Sequence, residues 1–140
     1  MARTTLSTVA LAAVFSAAAC SSDPFPTAPD TSTPPVAVTE TFDGQLTING
    51  GVSHPSPVTR IGAVTVTLTA LDPTDATIGL SLGTWNNTSG VCQATLSNDA
   101  APGGATIVGS ASVVGAFCAR VYDVGKLSRA ILYTLNVTHF

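Results

Sequence analysis

Charge is scarce in this 140-residue chain. Only 9% of the residues are charged, with a single lysine and a single glutamate among them, and the net charge is −3. No basic run occurs anywhere. That excludes nucleic acid as a partner, because binding it requires clustered Lys or Arg to displace counterions. Glu, Lys, Gln and Arg, which usually coat exposed helices, are nearly missing, and this argues against a helix-rich surface. Aromatics make up 6%, with one tryptophan. His54 and His139 stand alone without ligand spacing, whereas zinc needs three or four converging ligands. What remains is apolar (45% of residues) and rich in Thr, Val, Ser, Gly and Ala, so this is not a disordered acidic chain. Thr and Ser at the polar positions suit strands.

Residues 1–19 have the three parts of an export signal. Arg3 is the positive n-region, and the apolar stretch Leu6 to Ala19 ends in Ala17-Ala18-Ala19, directly before Cys20. The stretch is shorter than the ~20 apolar residues that cross a bilayer. Small residues followed at once by cysteine resemble the bacterial lipobox, although Ala17 stands where Leu is usual. That resemblance implies cleavage before Cys20 and lipidation of its thiol. More than one acyl chain would make the anchor stable. The alternative is an ordinary secreted protein. Ser21, rather than Asp, follows the cysteine, which resembles the pattern sent to the outer membrane in a diderm cell.

Residues 20–38 form the lipidated cysteine and a tether. Pro24, Pro26, Pro29, Pro34 and Pro35 punctuate it. Proline disfavours helix and cannot donate to a sheet, so an extended, polyproline-like segment is expected. At ~3.1 Å per residue it reaches up to about 55 Å.

From residue 39 to 140 the pattern alternates. In Gly62 to Leu71, Val64, Val66, Leu68 and Ala70 share one face, and Thr65, Thr67 and Thr69 the other, which predicts a half-buried antiparallel strand. Asp72-Pro73-Thr74-Asp75 is a turn. Ile78, Leu80 and Leu82 then alternate with Gly79, Ser81 and Gly83. Further strands are expected at Glu40 to Ile48 (Phe42, Leu46 and Ile48 inward), Val91 to Ser97, Ala105 to Ser112, Gly115 to Val124 (Phe117, Ala119 and Val121 inward) and Ile131 to His139 (Tyr133, Leu135 and Val137 inward). About seven strands with no convincing helix predict an all-β, antiparallel β-sandwich. Cys92 and Cys118 fall in separate strands, and an oxidising compartment favours a disulfide between them.

Four stretches carry a family resemblance: Thr41-Phe42-Asp43-Gly44-Gln45-Leu46, Gly62 to Leu68, Gly115 to Asp123, and Tyr133-Thr134-Leu135-Asn136-Val137. Together they resemble the bacterial pre-peptidase C-terminal (PPC) domain over roughly residues 40–140. The resemblance implies a jelly-roll-like sandwich, typically an accessory to exported enzymes. Some relatives bind calcium through an acidic linker. Here Asp23, Asp30 and Glu40 are too dispersed for that site to be carried over. A fold does not by itself give a function.

One motif has catalytic form. Gly79-Leu80-Ser81-Leu82-Gly83 matches the nucleophile elbow, with Asp99 or Asp123 and then His139 in hydrolase order, but the elbow requires a strand, a sharp turn and a helix. Calcium has oxygen candidates in Asp72, Asp75, Asn98 and Asp99, each with an ordinary turn role as well. Trp85, beside Asn86 and Asn87, is a candidate to stack on a sugar or peptide. The expectation is a non-enzymatic, monomeric, lipid-anchored envelope module without cofactor or metal, binding an unidentified protein or polymer. A carbohydrate-binding module using Trp85, Asn86 and Asn87 is the alternative, and a Ser81 esterase the weakest reading.

Overall fold

The computed structural model describes residues 33–140. The expected signal peptide, Cys20 and the tether up to Ser32 lie outside the described residues. Eight strands follow: β1 (Val38–Leu46), β2 (Gly51–Val58), β3 (Gly62–Asp72), β4 (Ile78–Asn86), β5 (Val91–Ala101), β6 (Thr106–Ala111), β7 (Gly115–Tyr122) and β8 (Ile131–His139). They form two four-stranded antiparallel sheets, ordered β1-β8-β3-β6 and β2-β7-β4-β5. Only β4 and β5 are joined as a hairpin within a sheet; every other connection crosses from one sheet to the other. This is the jelly-roll arrangement of the β-sandwich.

The core follows from the pleat. In β3, Val64, Val66 and Leu68 are fully buried between exposed or half-buried threonines, and β8 answers with Ile131, Tyr133, Leu135 and Val137. Register places Leu68 opposite Leu135, which in turn pairs with Phe42. From the second sheet, Ile78, Leu80, Leu82, Ala119 and Val121 complete the cluster. Each fully buried Leu, Ile or Val contributes about 1.5–3 kcal/mol.

Three local features depart from simple alternation. A bulge between Leu68 and Ala70 shifts the pairing of β3 with β8, so Ala70, expected inside, is exposed and Leu71 takes the core position. An extra residue in one strand has this consequence because the side-chain period is two. Ile48 is likewise not in the core: β1 ends at Leu46, and Ile48 is 49% exposed in the turn beyond it. The third feature is β2, a strand that the alternation did not reveal because it contains Pro55 and Pro57. It is an edge strand, and both prolines are exposed there. Such a position tolerates proline, whose missing N–H falls where no partner strand lies. The same residues blunt the edge against pairing with another chain.

β4 is buried on both faces. Ile78 through Gly83 are all inaccessible. The inward Ile78, Leu80 and Leu82 meet the core. The outward side is closed because a Cβ on Gly79 would run into the Tyr122 ring, and one on Gly83 into the Gln93 carbonyl. Arg120 lies over the Tyr122 ring at 5.3 Å, covering the same surface. Cys92 and Cys118 are joined in a disulfide, with Cα atoms 5.8 Å apart, on this outward side of the second sheet.

Candidate functional site

The nucleophile-elbow reading of Gly79-Leu80-Ser81-Leu82-Gly83 requires an exposed Ser at a strand-to-helix turn. Here the whole motif lies inside β4, hydrogen-bonded to β5 on one side and β7 on the other. Ser81 is 1% exposed and its hydroxyl has no hydrogen-bond partner. His139, the base in that reading, belongs to the other sheet and faces Glu40 across 3.4 Å. Asp99 accepts a hydrogen bond from the Tyr122 hydroxyl, and burial together with that carboxylate raises the pKa of the phenol. Asp123 is occupied by the backbone: its carboxylate accepts N–H bonds from Asn49, Gly125, Lys126 and Leu127. These bonds, that from Asn49 first, hold its pKa below the ordinary value. Ser81 and His139 thus belong to different sheets, and both candidate aspartates are hydrogen-bonded to other groups.

Trp85 lies at the end of β4, opposite Cys92, and is half-buried. Its neighbour Asn86 builds the turn: the side-chain oxygen accepts from the Thr88 and Ser89 N–H groups, at 2.9 and 3.1 Å. Asn87 is exposed in that turn. The three residues are adjacent, but the amide oxygen of Asn86 is committed locally. Among the described residues, no group of three or more His, Cys, Asp or Glu side chains is placed to share a metal ion.

A second cluster closes the sandwich where β1 and β2 run along its side. Phe42 stacks on His54 with ring centroids 4.5 Å apart, and His54 Nε2 shares a 2.9 Å hydrogen bond with the Tyr133 hydroxyl. Burial lowers the pKa of His54 and raises that of Tyr133. Both shifts favour the neutral forms. The cluster is an apolar plug with one internal polar bond.

The outward face of the first sheet is different in kind. Register across its four strands aligns Thr41, Asn136, Thr67 and Thr106 in one row, and Thr39, Thr138, Thr65 and Val108 in the next. Strands lie ~4.8 Å apart and same-face residues recur every ~6.7 Å along each strand, so these groups form a regular grid. The grid is held by its own hydrogen bonds: Thr39 to Thr138 and Thr41 to Asn136, both 2.9 Å, and Thr67 to Thr106, 3.2 Å. A third row ends the neutral field, where the Thr134 hydroxyl donates to Asp43 at 2.6 Å. Beside it a shallow hollow of about 430 Å³ is lined by Ala70, Asp72, Leu132 and Thr134 among others. Each hydroxyl retains acceptor capacity beyond its internal bond. The face offers many weak polar contacts and methyl groups, without a net charge in its two main rows. Alternation in β3 showed one column of it; the alignment of four strands needed the register.

No family model and no curated protein matches the chain.

Proposed function

We propose that the chain is a non-enzymatic module of the cell envelope, lipid-anchored through Cys20, that binds a neutral polymer or protein surface through the Thr/Asn face of its first sheet. The observation that carries this reading is the grid itself: Thr39, Thr65, Thr67, Thr106 and Thr138, with Thr41 and Asn136, aligned across four strands. A hydroxyl- or amide-bearing partner can exchange hydrogen bonds with such a face without desolvating an ion, which is the costly step in burying charge. The stretches that resemble PPC domains fall in β1, β3, β7 and β8, and an accessory, non-catalytic role is what that resemblance implies.

The test has two arms. Intact mass of the membrane-extracted protein reports an acylated Cys20 as a mature chain beginning at that residue with added acyl mass. Binding is read by co-sedimentation with insoluble neutral polysaccharides and by capture from envelope extracts. Thr41→Glu with Thr67→Glu places two carboxylates in the main row and should weaken retention at least tenfold, because each added charge must be desolvated at the contact. Retention unchanged in that variant would remove the face from the account.

A further inference from the structure

The two ends of the sandwich are chemically unlike. At the end where β1 begins, the crossing connections β2–β3 (59–61) and β6–β7 (112–114) run side by side, since Gly62 pairs with Ala111 and Val58 with Gly115. The backbone N–H groups of Thr59 and Arg60 both donate to the Phe140 carbonyl at 3.2 Å, which ties the segment after β8 to the same end. The tips of these connections are apolar and open to solvent: Ile61 is 68% exposed, Val113 67% and Val114 60%. Arg60 is the only charged residue in the connections at this end. Glu40, near the start of β1, is turned toward His139.

The opposite end carries the acids. Asp72 and Asp99 lie near the far ends of β3 and β5, and Asp75 and Asp123 lie in the connections there, with Lys126 and Arg129. Its exposed apolar residues, Ile48 and Leu132, come from separate elements. The acids are therefore gathered at one end, and the chain enters at the other, where these aliphatic tips stand beside the uncharged, polar β4–β5 turn (87–90).

We infer that the end bearing Ile61, Val113, Val114 and Arg60 rests on an anionic phospholipid surface, so that the anchored domain stands upright with its acidic end outward. This rests on the lipid-anchor reading above and adds an orientation to it. Aliphatic tips seat at the headgroup boundary, where burial of apolar area drives binding and basic residues add attraction to anionic lipid. The guanidinium of Arg60 matches a phosphate group in bidentate geometry. The four acids at the far end would be repelled by the same surface. In this orientation the strands run away from the membrane, and the Thr/Asn face lies along the side of the domain, with its Thr39 row nearer the membrane than its Thr41 row.

Depth-dependent fluorescence quenching tests the orientation. A Trp85→Phe background removes the native indole, and Val113→Trp or Ile48→Trp reports one end or the other. The lipidated protein is reconstituted in phosphatidylcholine/phosphatidylglycerol vesicles with brominated acyl chains. The indole at position 113 should be quenched severalfold more than that at position 48. Ile61→Ser with Val114→Ser should reduce quenching at position 113, with partitioning of the unacylated Cys20→Ser chain falling about tenfold per lost tip. Arg60→Glu should reduce it further in vesicles containing phosphatidylglycerol. Equal quenching at the two positions, or none at position 113 in a protein that floats with the vesicles, would overturn the orientation. Far-ultraviolet circular dichroism confirms that each variant keeps its strands. If intact mass shows no acyl group on Cys20, the anchor reading fails by itself. The quenching is then repeated at excess lipid and still decides whether this end meets the bilayer.

Discussion

Ser81 and Ser56 hold the two buried hydroxyl groups without a hydrogen-bond partner among the described residues. Each is 1% exposed, Ser81 on the closed outward side of β4 and Ser56 on the edge strand β2. A hydroxyl buried without a partner costs about 1–3 kcal/mol. Ser81→Ala removes that cost. It leaves a void smaller than a methyl group and gives up a few tenths of a kcal/mol in strand preference. The expected balance is a gain of about 0.5–2 kcal/mol. For a domain of this size, 1 kcal/mol moves Tm by roughly 4 °C or more. Urea titration followed by Tyr and Trp fluorescence gives the free energy, and Ser56→Ala is the independent second case. A catalytic serine would behave oppositely: Ser81→Ala would abolish turnover of a small ester, with stability a secondary matter. A loss of 1 kcal/mol or more in both alanine variants would refute the reasoning, since it would mean that both hydroxyls have partners.

Reduction of Cys92–Cys118, or its replacement by two alanines, should lower the unfolding free energy by about 3.5 kcal/mol, the loop-closure value for a separation of 26 residues; a shift below 1 kcal/mol in denaturant titration would count against it. Gly83→Ala should prevent folding or cost more than about 3 kcal/mol, because its Cβ meets the Gln93 backbone rather than a movable side chain. Soluble expression with an unchanged Tm would contradict that packing. The lowered pKa of His54 means that the folded state binds its proton less readily than the unfolded state. Stability should therefore be complete above the ordinary histidine value of about 6.5 and decline as pH falls below it, until the folded-state ring also protonates. The slope stays below the one-proton limit of about 1.4 kcal/mol per pH unit, since the ring keeps part of its contact with water. His54→Gln should flatten this segment of the pH–stability curve relative to the parent protein.

Much of the architecture was legible as a period of two. Val64, Val66 and Leu68 against Thr65 and Thr67 marked β3, and Tyr133, Leu135 and Val137 marked β8, because both strands are central in their sheet and have one wet face. The limits were local. Pro55 and Pro57 masked β2, since proline argues against a strand unless its edge position is known. The bulge after Leu68 is invisible to a periodicity that assumes unbroken register, so Ala70 and Leu71 exchanged roles. β5 ran on from Ser97 to Ala101, with register shifts that a short alternating window does not carry. The candidate site was less legible than the fold. A grid of threonines depends on which residues of four strands stand side by side, and that is set by long-range pairing. Segregation of Asp72, Asp75, Asp99 and Asp123 from Ile61, Val113 and Val114 likewise appears only when the connections are sorted by end.

The central claim is that one alternation both fills the core and lays out the neutral face. Neighbouring positions in β3 test it most directly, by the stability of Val66→Asp and Thr67→Asp measured in parallel by urea unfolding. Val66 is fully buried, so an unpaired carboxylate there should unfold the domain. Thr67 faces outward, and the same carboxylate should cost no more than about 1 kcal/mol. Similar losses at the two positions, or a greater loss at Thr67, would contradict the account.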